Sequence, residues 1–264
     1  MRFILCRASL VVLFALGCAN PPQPQRQVHR IITLAPNITE IANDVGCGSK
    51  IVGTDDFSAA NVPKVGGVEP DIEKIVQLHP DLVIASASNA HPSLRRALAA
   101  VHVPLLVIKT ERLADVTKAM ADVARPCGDP RRAIAKFDRA LDDNRRTRTH
   151  PPRVLFVVWP DPLYIAGRAT FIDDLYHLTG AVNAAEVNGW PTYSLENFIA
   201  HPPDVLLYPN HSVTPQAVAA LLGRAHAPIQ AVAVDENTFT RPGPRLAQAA
   251  ASLNAILDRW ERSR

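Results

Sequence analysis

The sequence contains no glycine-rich phosphate loop, no G-x-G-x-x-G, no G-x-S-x-G and no H-E-x-x-H. Nucleotide-dependent chemistry, serine hydrolysis and zinc proteolysis therefore have none of their usual anchors in this chain. Aromatic residues are scarce, with three tryptophans, four tyrosines and eight phenylalanines among 264 residues. Cysteines number four, and neither Cys47 nor Cys127 has metal-ligand spacing to a second cysteine or to a histidine. That argues against a zinc site built on them. The apolar run from Ala8 to Leu16 is too short to span a bilayer. Charge is nearly balanced at +3, which gives no basic excess directed at nucleic acid.

What is present is ordinary globular composition, 47% apolar and 20% charged, enough for a substantial core. The first residues, "MRFILCRASLVVLFALGC", read as a secretory signal: Arg2 and Arg7 precede the apolar run, and small residues precede Cys18. "ALGC" resembles the lipobox of bacterial lipoproteins, which implies acylation of Cys18 and a periplasmic protein anchored to a membrane through that lipid alone. "ANPPQPQRQ" then reads as an extended, solvated tether. Without the signal, Lys+Arg falls from 28 to 26 against 25 acidic residues. Cys6 leaves with the signal, so Cys47 and Cys127 remain as an even pair in an oxidising compartment. They are either a disulfide or two buried thiols.

One pattern occurs twice. "DIEKIVQLHPDLVIAS" begins at Asp71 and "SLENFIAHPPDVLLYP" at Ser194, an offset of 123. The same offset places Glu73 on Glu196, Pro80 on Pro203, Asp81 on Asp204, and "RIITLA" at Arg30 on "RVLFVV" at Arg153. The chain is a duplicated unit. In each copy short apolar runs alternate with helical patterns, the signature of parallel sheets with helical crossovers. Asp71 and Ser194 are expected N-caps, and Asn37 or Thr39 is expected to cap the first helix. Between the copies, Asp129-Pro130 should open a helix running to about Arg148, roughly 19 residues and ~28 Å at ~1.5 Å per residue. The expected organisation is a signal at 1–17, a tether at 18–28, an α/β lobe at 29–126, a connecting helix at 127–150 and a second α/β lobe at 151–264.

The stretches "RIITLAPNITEI", "IVGTDDFS", "VPKVGGVEPDIEKIVQLHPDLVIAS", "PLYIAGRATFIDDLYHLTGAVNAA", "GWPTYSLENFIAHPPDVLLY" and "TRPGPRLAQAA" cover nearly all of the mature chain. In order and spacing they resemble the substrate-binding proteins of ABC importers for cobalamin, haem and ferric siderophores. "YIAGRATFIDDLYHLTG" and "GWPTYSLE" look most like the cobalamin-type members. The resemblance implies two Rossmann-like parallel-sheet lobes joined by one long backbone helix, the class III periplasmic binding architecture. It also implies a monomer that delivers cobalamin to an ABC permease with its ATPase subunits. Glu73 and Glu196 match the positions at which this family pairs with permease arginines, although an acid in a first helical turn is favourable in its own right, by ~0.3–1 kcal/mol.

A ligand cleft should lie between the lobes, where loops leave the carboxyl ends of the strands. Candidates on those loops are Pro36, Phe57, Gly67 and Ser88 in the first half, and Trp159, Trp190, Tyr193 and Arg241 in the second. Flat side chains at a cleft suit a large flat ligand with an apolar periphery. Haem or a ferric siderophore is the alternative within the family. Tyr193, His91 and His211 are its axial candidates, and Arg241 with Arg168 its cationic ones. An exported enzyme is the alternative outside the family. Asp142-Asp143 and Asp173-Asp174 sit in helical patterns and read as solvated faces, while Trp260 reads as packing.

Overall fold

The computed structural model describes residues 28–225 and 228–264. The expected signal, Cys18 and the expected tether, up to residue 27, lie outside the described residues. In the first half, β1 (Ile31–Thr33), α1 (Pro36–Asp44), β2 (Ile51–Thr54), α2 (Ile72–Gln77), β3 (Leu82–Ser86), α3 (Pro92–Ala100) and β4 (Leu105–Ile108) alternate. Their sheet runs β2-β1-β3-β4 and is parallel throughout. Two helices follow, α4 (Leu113–Ala124) and α5 (Arg131–Asp142). The second half comprises β5 (Arg153–Pro160), β6 (Leu163–Ala166), α6 (Phe171–Thr179), β7 (Val182–Asn183), α7 (Leu195–Ala200), β8 (Val205–Pro209), α8 (Pro215–Leu222), β9 (Gln230–Val234), α9 (Glu236–Phe239) and α10 (Leu246–Arg262). Its sheet runs β6-β5-β8-β9, with β7 also on β5, and all pairs are parallel except the β5–β6 hairpin. That antiparallel edge is the departure from the parallel expectation.

The duplication is visible element by element. α2 and α7, and likewise β3 and β8, start and stop at positions that differ by 123. The caps repeat too: the Asp71 carboxylate accepts from the Lys74 amide at 3.1 Å, and the Ser194 hydroxyl from the Asn197 amide at 3.0 Å. So does a strand clamp. Asp81 accepts from the Arg30 amide at 3.0 Å and Asp204 from the Arg153 amide at 2.8 Å, pinning the first strand of each sheet against the start of its neighbour.

Two start and stop signals resolve differently from expectation. Helix α1 begins earlier than expected, at Pro36, with Ala35 at the N-cap and no side-chain cap. Proline fits the first helical position because its missing N–H would be unpaired there. This leaves Asn37 and Thr39 inside the helix with other partners. The connector is shorter than expected: α5 has 12 residues, roughly 18 Å at ~1.5 Å rise, and ends at Asp142 rather than Arg148. Past that point tertiary partners win. The Arg146 amide donates to Leu178 O at 2.9 Å, and the buried Arg148 side chain pairs with Asp258 and Glu261 of α10, each at 2.8 Å. At the other end the Asp129 carboxylate accepts from the Arg131 amide at 2.9 Å, a cap in function one residue from the assigned boundary.

One continuous apolar cluster runs through both halves. It takes in Ile31, Ile38 and Ile84 from the first sheet and α1, Met120 and Val123 from α4, Phe137 from α5, and Phe156, Tyr176, Leu253 and Leu257 from the second half. Trp260 is buried within it, as packing. Separate clusters fill the outer face of each sheet. Cys47, just past α1, and Cys127, just past α4, are disulfide-bonded with Cα atoms 5.4 Å apart, stapling α1 to the helix pair. The bond closes a separation of 80 residues, so removing it as Cys47→Ser with Cys127→Ser should cost about 2–4 kcal/mol. Native protein should take up no alkylating reagent at either cysteine until reduced, with thermal unfolding before and after reduction reading the stability loss.

Candidate functional site

On the first lobe the site residues rise from loops beyond the strand ends. Pro36 opens α1 and is half-buried, and Ser88, beyond β3, is exposed with its hydroxyl 2.9 Å from that of Ser86. Phe57, beyond β2, is 61% exposed. Gly67 lies against its ring: a Cβ there would stand 3.3 Å from Phe57 Cε2. Gly67 is thus a surface for the ring, and a larger residue would push the ring away.

On the second lobe an aromatic band forms for a reason the sequence did not display. Trp159 was expected on a loop, yet it belongs to β5. The register slips between Val157 and Trp159, so Val157 faces Ile165 while Trp159 faces Tyr164. Such a bulge re-aims the side chains beyond it. Val157 and Ile165 pack into the outer cluster. Tyr164, one residue from Ile165 on a strand, points to the opposite face, and Trp159 opposite it shares that face. This is the face carrying the cluster common to both halves, since Phe156 and Ala166 belong to it. Trp159 and Tyr164 are 45% and 41% exposed. Sequence reasoning missed Tyr164, which stands exposed between buried Leu163 and Ile165 in a run whose residues are all apolar or aromatic.

Trp190 lies on the segment that runs along β6, two residues before Thr192, which bridges Tyr164. It tilts against Phe171 with ring centres 5.3 Å apart and remains 40% exposed. Phe171 opens α6, and the first turn of α6 is tied to the other lobe: Asp174 accepts from Arg112 Nε at 2.8 Å and from the Leu113 amide at 2.9 Å. Trp190 therefore sits on the inter-lobe side. Asp173-Asp174 form no solvated face. Asp173 is buried and accepts from the Ala169 amide and Asn183 Nδ2, each at 3.1 Å, while Asp174 bridges the lobes. Negative charge belongs in a first turn, where free amides cluster.

Tyr193 is half-buried against the outer cluster and takes no place in the band. Burial raises its phenol above the usual value, opposed by the nearby Arg153 cation. Arg241 has another task than a free cleft cation. It stands 3.3 Å from Glu40 of α1, which Arg245 also approaches at 3.1 Å. Beside this triad Asn37 donates to Pro242 O at 3.2 Å. These contacts tie the loop before α10 to the first lobe. Arg168 is exposed and 3.7 Å from Glu186. His91 stands at the N-cap of α3 and His211 is exposed. No group of three or more potential metal ligands exists among the described residues, and none of their helices is long and apolar enough to cross a membrane. A cavity of about 560 Å³ lies between α1, α5 and the start of α10, lined by Glu40, Asp44, Lys136 and Gln248 among others. Its charged lining and lack of any band residue separate it from the candidate cleft.

Glu73 and Glu196 are both exposed in first turns, on α2 and α7. Three residues further on, each helix exposes an aliphatic side chain, Val76 at 38% and Ile199 at 40%. Residues three apart share one helix face, so the duplicated helices present the same acid–aliphatic pair. If Glu40 joins the lobes as described, Glu40→Gln should lower stability by about 1–3 kcal/mol, as for loss of a partly buried pair, read as a lower melting temperature that salt does not restore.

Known proteins resemble the chain across most of its length. The vitamin B12-binding protein of Pectobacterium atrosepticum is 24% identical over 242 residues, covering 85% of this chain and 86% of the relative. The uncharacterized ABC transporter substrate-binding lipoprotein YvrC of Bacillus subtilis is 28% identical over 253 residues, covering 87% and 80%. Among solved structures, the periplasmic heme-binding protein RhuT from Roseiflexus sp. RS-1, in apo form, superposes with a TM-score of 0.75 at 28% identity, covering 86% of this chain and 97% of its own. The family profile described as periplasmic binding protein matches residues 31–233, from the first strand of one sheet to the last strand of the other, and the chain belongs to that family.

Proposed function

We propose that this protein is the extracytoplasmic substrate-binding component of an ABC importer and that it captures a corrinoid between its lobes. It is a binding protein rather than an enzyme, as its family is. The observation that carries the ligand class is the exposed aromatic band of Trp159, Tyr164 and Trp190 on the inter-lobe side of the second lobe. Three large rings left 40–45% exposed are apolar area awaiting a partner, and a broad, flat, largely apolar ligand covers it. Phe57 is the corresponding contact on the first lobe. The name of the Pectobacterium relative points to vitamin B12.

Haem is the second reading, favoured by the name of the Roseiflexus neighbour. Within the chain it is less well served. Tyr193 packs against the outer cluster, and neither Tyr193, His91 nor His211 belongs to the band. Tyr164 is the remaining axial candidate. Export and lipid attachment at Cys18 complete the proposal, since YvrC is named a lipoprotein.

Delivery to a permease with its ATPase subunits is assigned to Glu73 and Glu196, each flanked by its exposed aliphatic residue. Two carboxylates steer and orient docking more than they raise affinity, while Val76 and Ile199 supply apolar contact beside them. Glu73→Ala with Glu196→Ala should leave fold and ligand affinity unchanged and reduce uptake, with added salt weakening docking of the native protein through screening over ~8–10 Å. Wild-type uptake by a double mutant that melts early would leave helix stabilisation as the only role of the two acids. For the ligand, Trp190→Ala should weaken cyanocobalamin binding by at least about tenfold, or ~1.4 kcal/mol, read by calorimetry. Unchanged affinity in folded Trp159→Ala and Trp190→Ala proteins removes the band from the site.

A further inference from the structure

Phe57 poses a physical problem. The residue is 61% exposed, so burial does not hold it in place, yet two residues of the network below it are among the most buried polar groups of the lobe. Asp55 is 1% exposed and Ser58 is 5% exposed. The Asp55 carboxylate accepts from the Phe57 amide at 2.8 Å with one oxygen and from the Ser58 hydroxyl at 2.5 Å with the other. Ser58 Oγ lies 2.8 Å from Thr39 Oγ1, which lies 2.6 Å from Thr33 Oγ1. The loop is thereby wired into β1 and α1. Lys64 closes the far side, donating to Ser58 O and, at 3.0 Å, to Thr54 Oγ1. Gly67 then backs the ring itself.

A buried carboxylate is costly unless fully hydrogen-bonded, and here one oxygen holds the backbone of Phe57 itself and the other the side chain of Ser58 beside it. We propose that Asp55 is a positioning residue for ligand capture: it preorganises Phe57 against Gly67, so that the ring meets the ligand without first being ordered. The inference rests on the reading of Phe57 as a ligand contact. Ordering a loop at the moment of binding lowers affinity; the Asp55 network removes that cost before the ligand arrives. Neither Asp55 nor Ser58 needs to touch the ligand.

The test has two arms. In ligand-free protein, NMR relaxation at the Phe57 amide should report a rigid site, with an order parameter near ~0.85, falling below ~0.6 in Asp55→Ala. Asp55→Asn retains an acceptor for the Phe57 amide and should fall between the two, which keeps the test decisive should the alanine variant fold poorly. In the second arm, cyanocobalamin and haemin are titrated into a double-mutant cycle. Asp55→Ala should weaken binding about tenfold beside Phe57 and less than about twofold in the Phe57→Ala background, while lowering the melting temperature equally in both. An unchanged order parameter, or equal binding losses in the two backgrounds, overturns the inference. Native protein that binds neither probe removes the functional reading instead, and the order parameter alone then decides whether Asp55 rigidifies the ring.

Discussion

The apolar cluster shared by the two halves is the constraint on which everything else depends. A cleft between lobes has a defined width only if something fixes the lobes to each other, and here the same buried surface that stabilises α1 and α4 also receives α6 and α10. Closely packed interiors transmit strain rather than flex. The polar links lie around this core: Glu40 with Arg241 and Arg245, Arg112 with Asp174, and Arg148 with Asp258 and Glu261. Each places a charge of one segment on a charge of another, so they fix orientation more than they add stability. The disulfide anchors α1 and α4, the two first-half helices that feed the shared core. The result is a frame that fixes the two lobes relative to each other.

Much of this frame was legible because it follows from local pattern. Buried parallel strands declare themselves as apolar runs, and Asp71 and Ser194 each announce a helix start that the structure reproduces. Duplication made the reading redundant, since α2 with α7 and β3 with β8 could each be checked against a copy. Failures occurred where a residue's fate depends on something distant in sequence. Helix α5 stops early because Arg148 is drawn to α10, and helical periodicity cannot register a partner more than a hundred positions away. The ion pair of Arg241 with Glu40, 201 positions away, is likewise invisible to local pattern. Asp173 looked solvated because its partners, Ala169 and Asn183, lie on the preceding turn and a later strand.

The aromatic band shows the same limit in one place. Trp159 was identified as a candidate, but on a loop, and Tyr164 was missed entirely. Both errors come from one bulge: a single extra residue between Val157 and Trp159 turns the tryptophan onto the face it shares with Tyr164. Composition reveals that tryptophan is rare; only register reveals which way it points. The first lobe offers the complementary lesson. Phe57 could be chosen for being aromatic on a loop, whereas the buried Asp55–Ser58–Thr39 chain beneath it consists of residues that look like ordinary turn polar groups in sequence.

On the proposed reading, importer-type ligand capture combines this frame with the exposed aromatic band of the second lobe and the Phe57 ring of the first. The most direct measurement is titration of the native, disulfide-intact protein with cyanocobalamin, cobinamide, haemin and ferric siderophores, followed by calorimetry and visible spectroscopy. The account predicts one corrinoid bound per protein, more tightly than haemin, and quenching of tryptophan fluorescence on binding. Tight haemin binding with a tyrosine or histidine charge-transfer band, and no corrinoid binding, would contradict it.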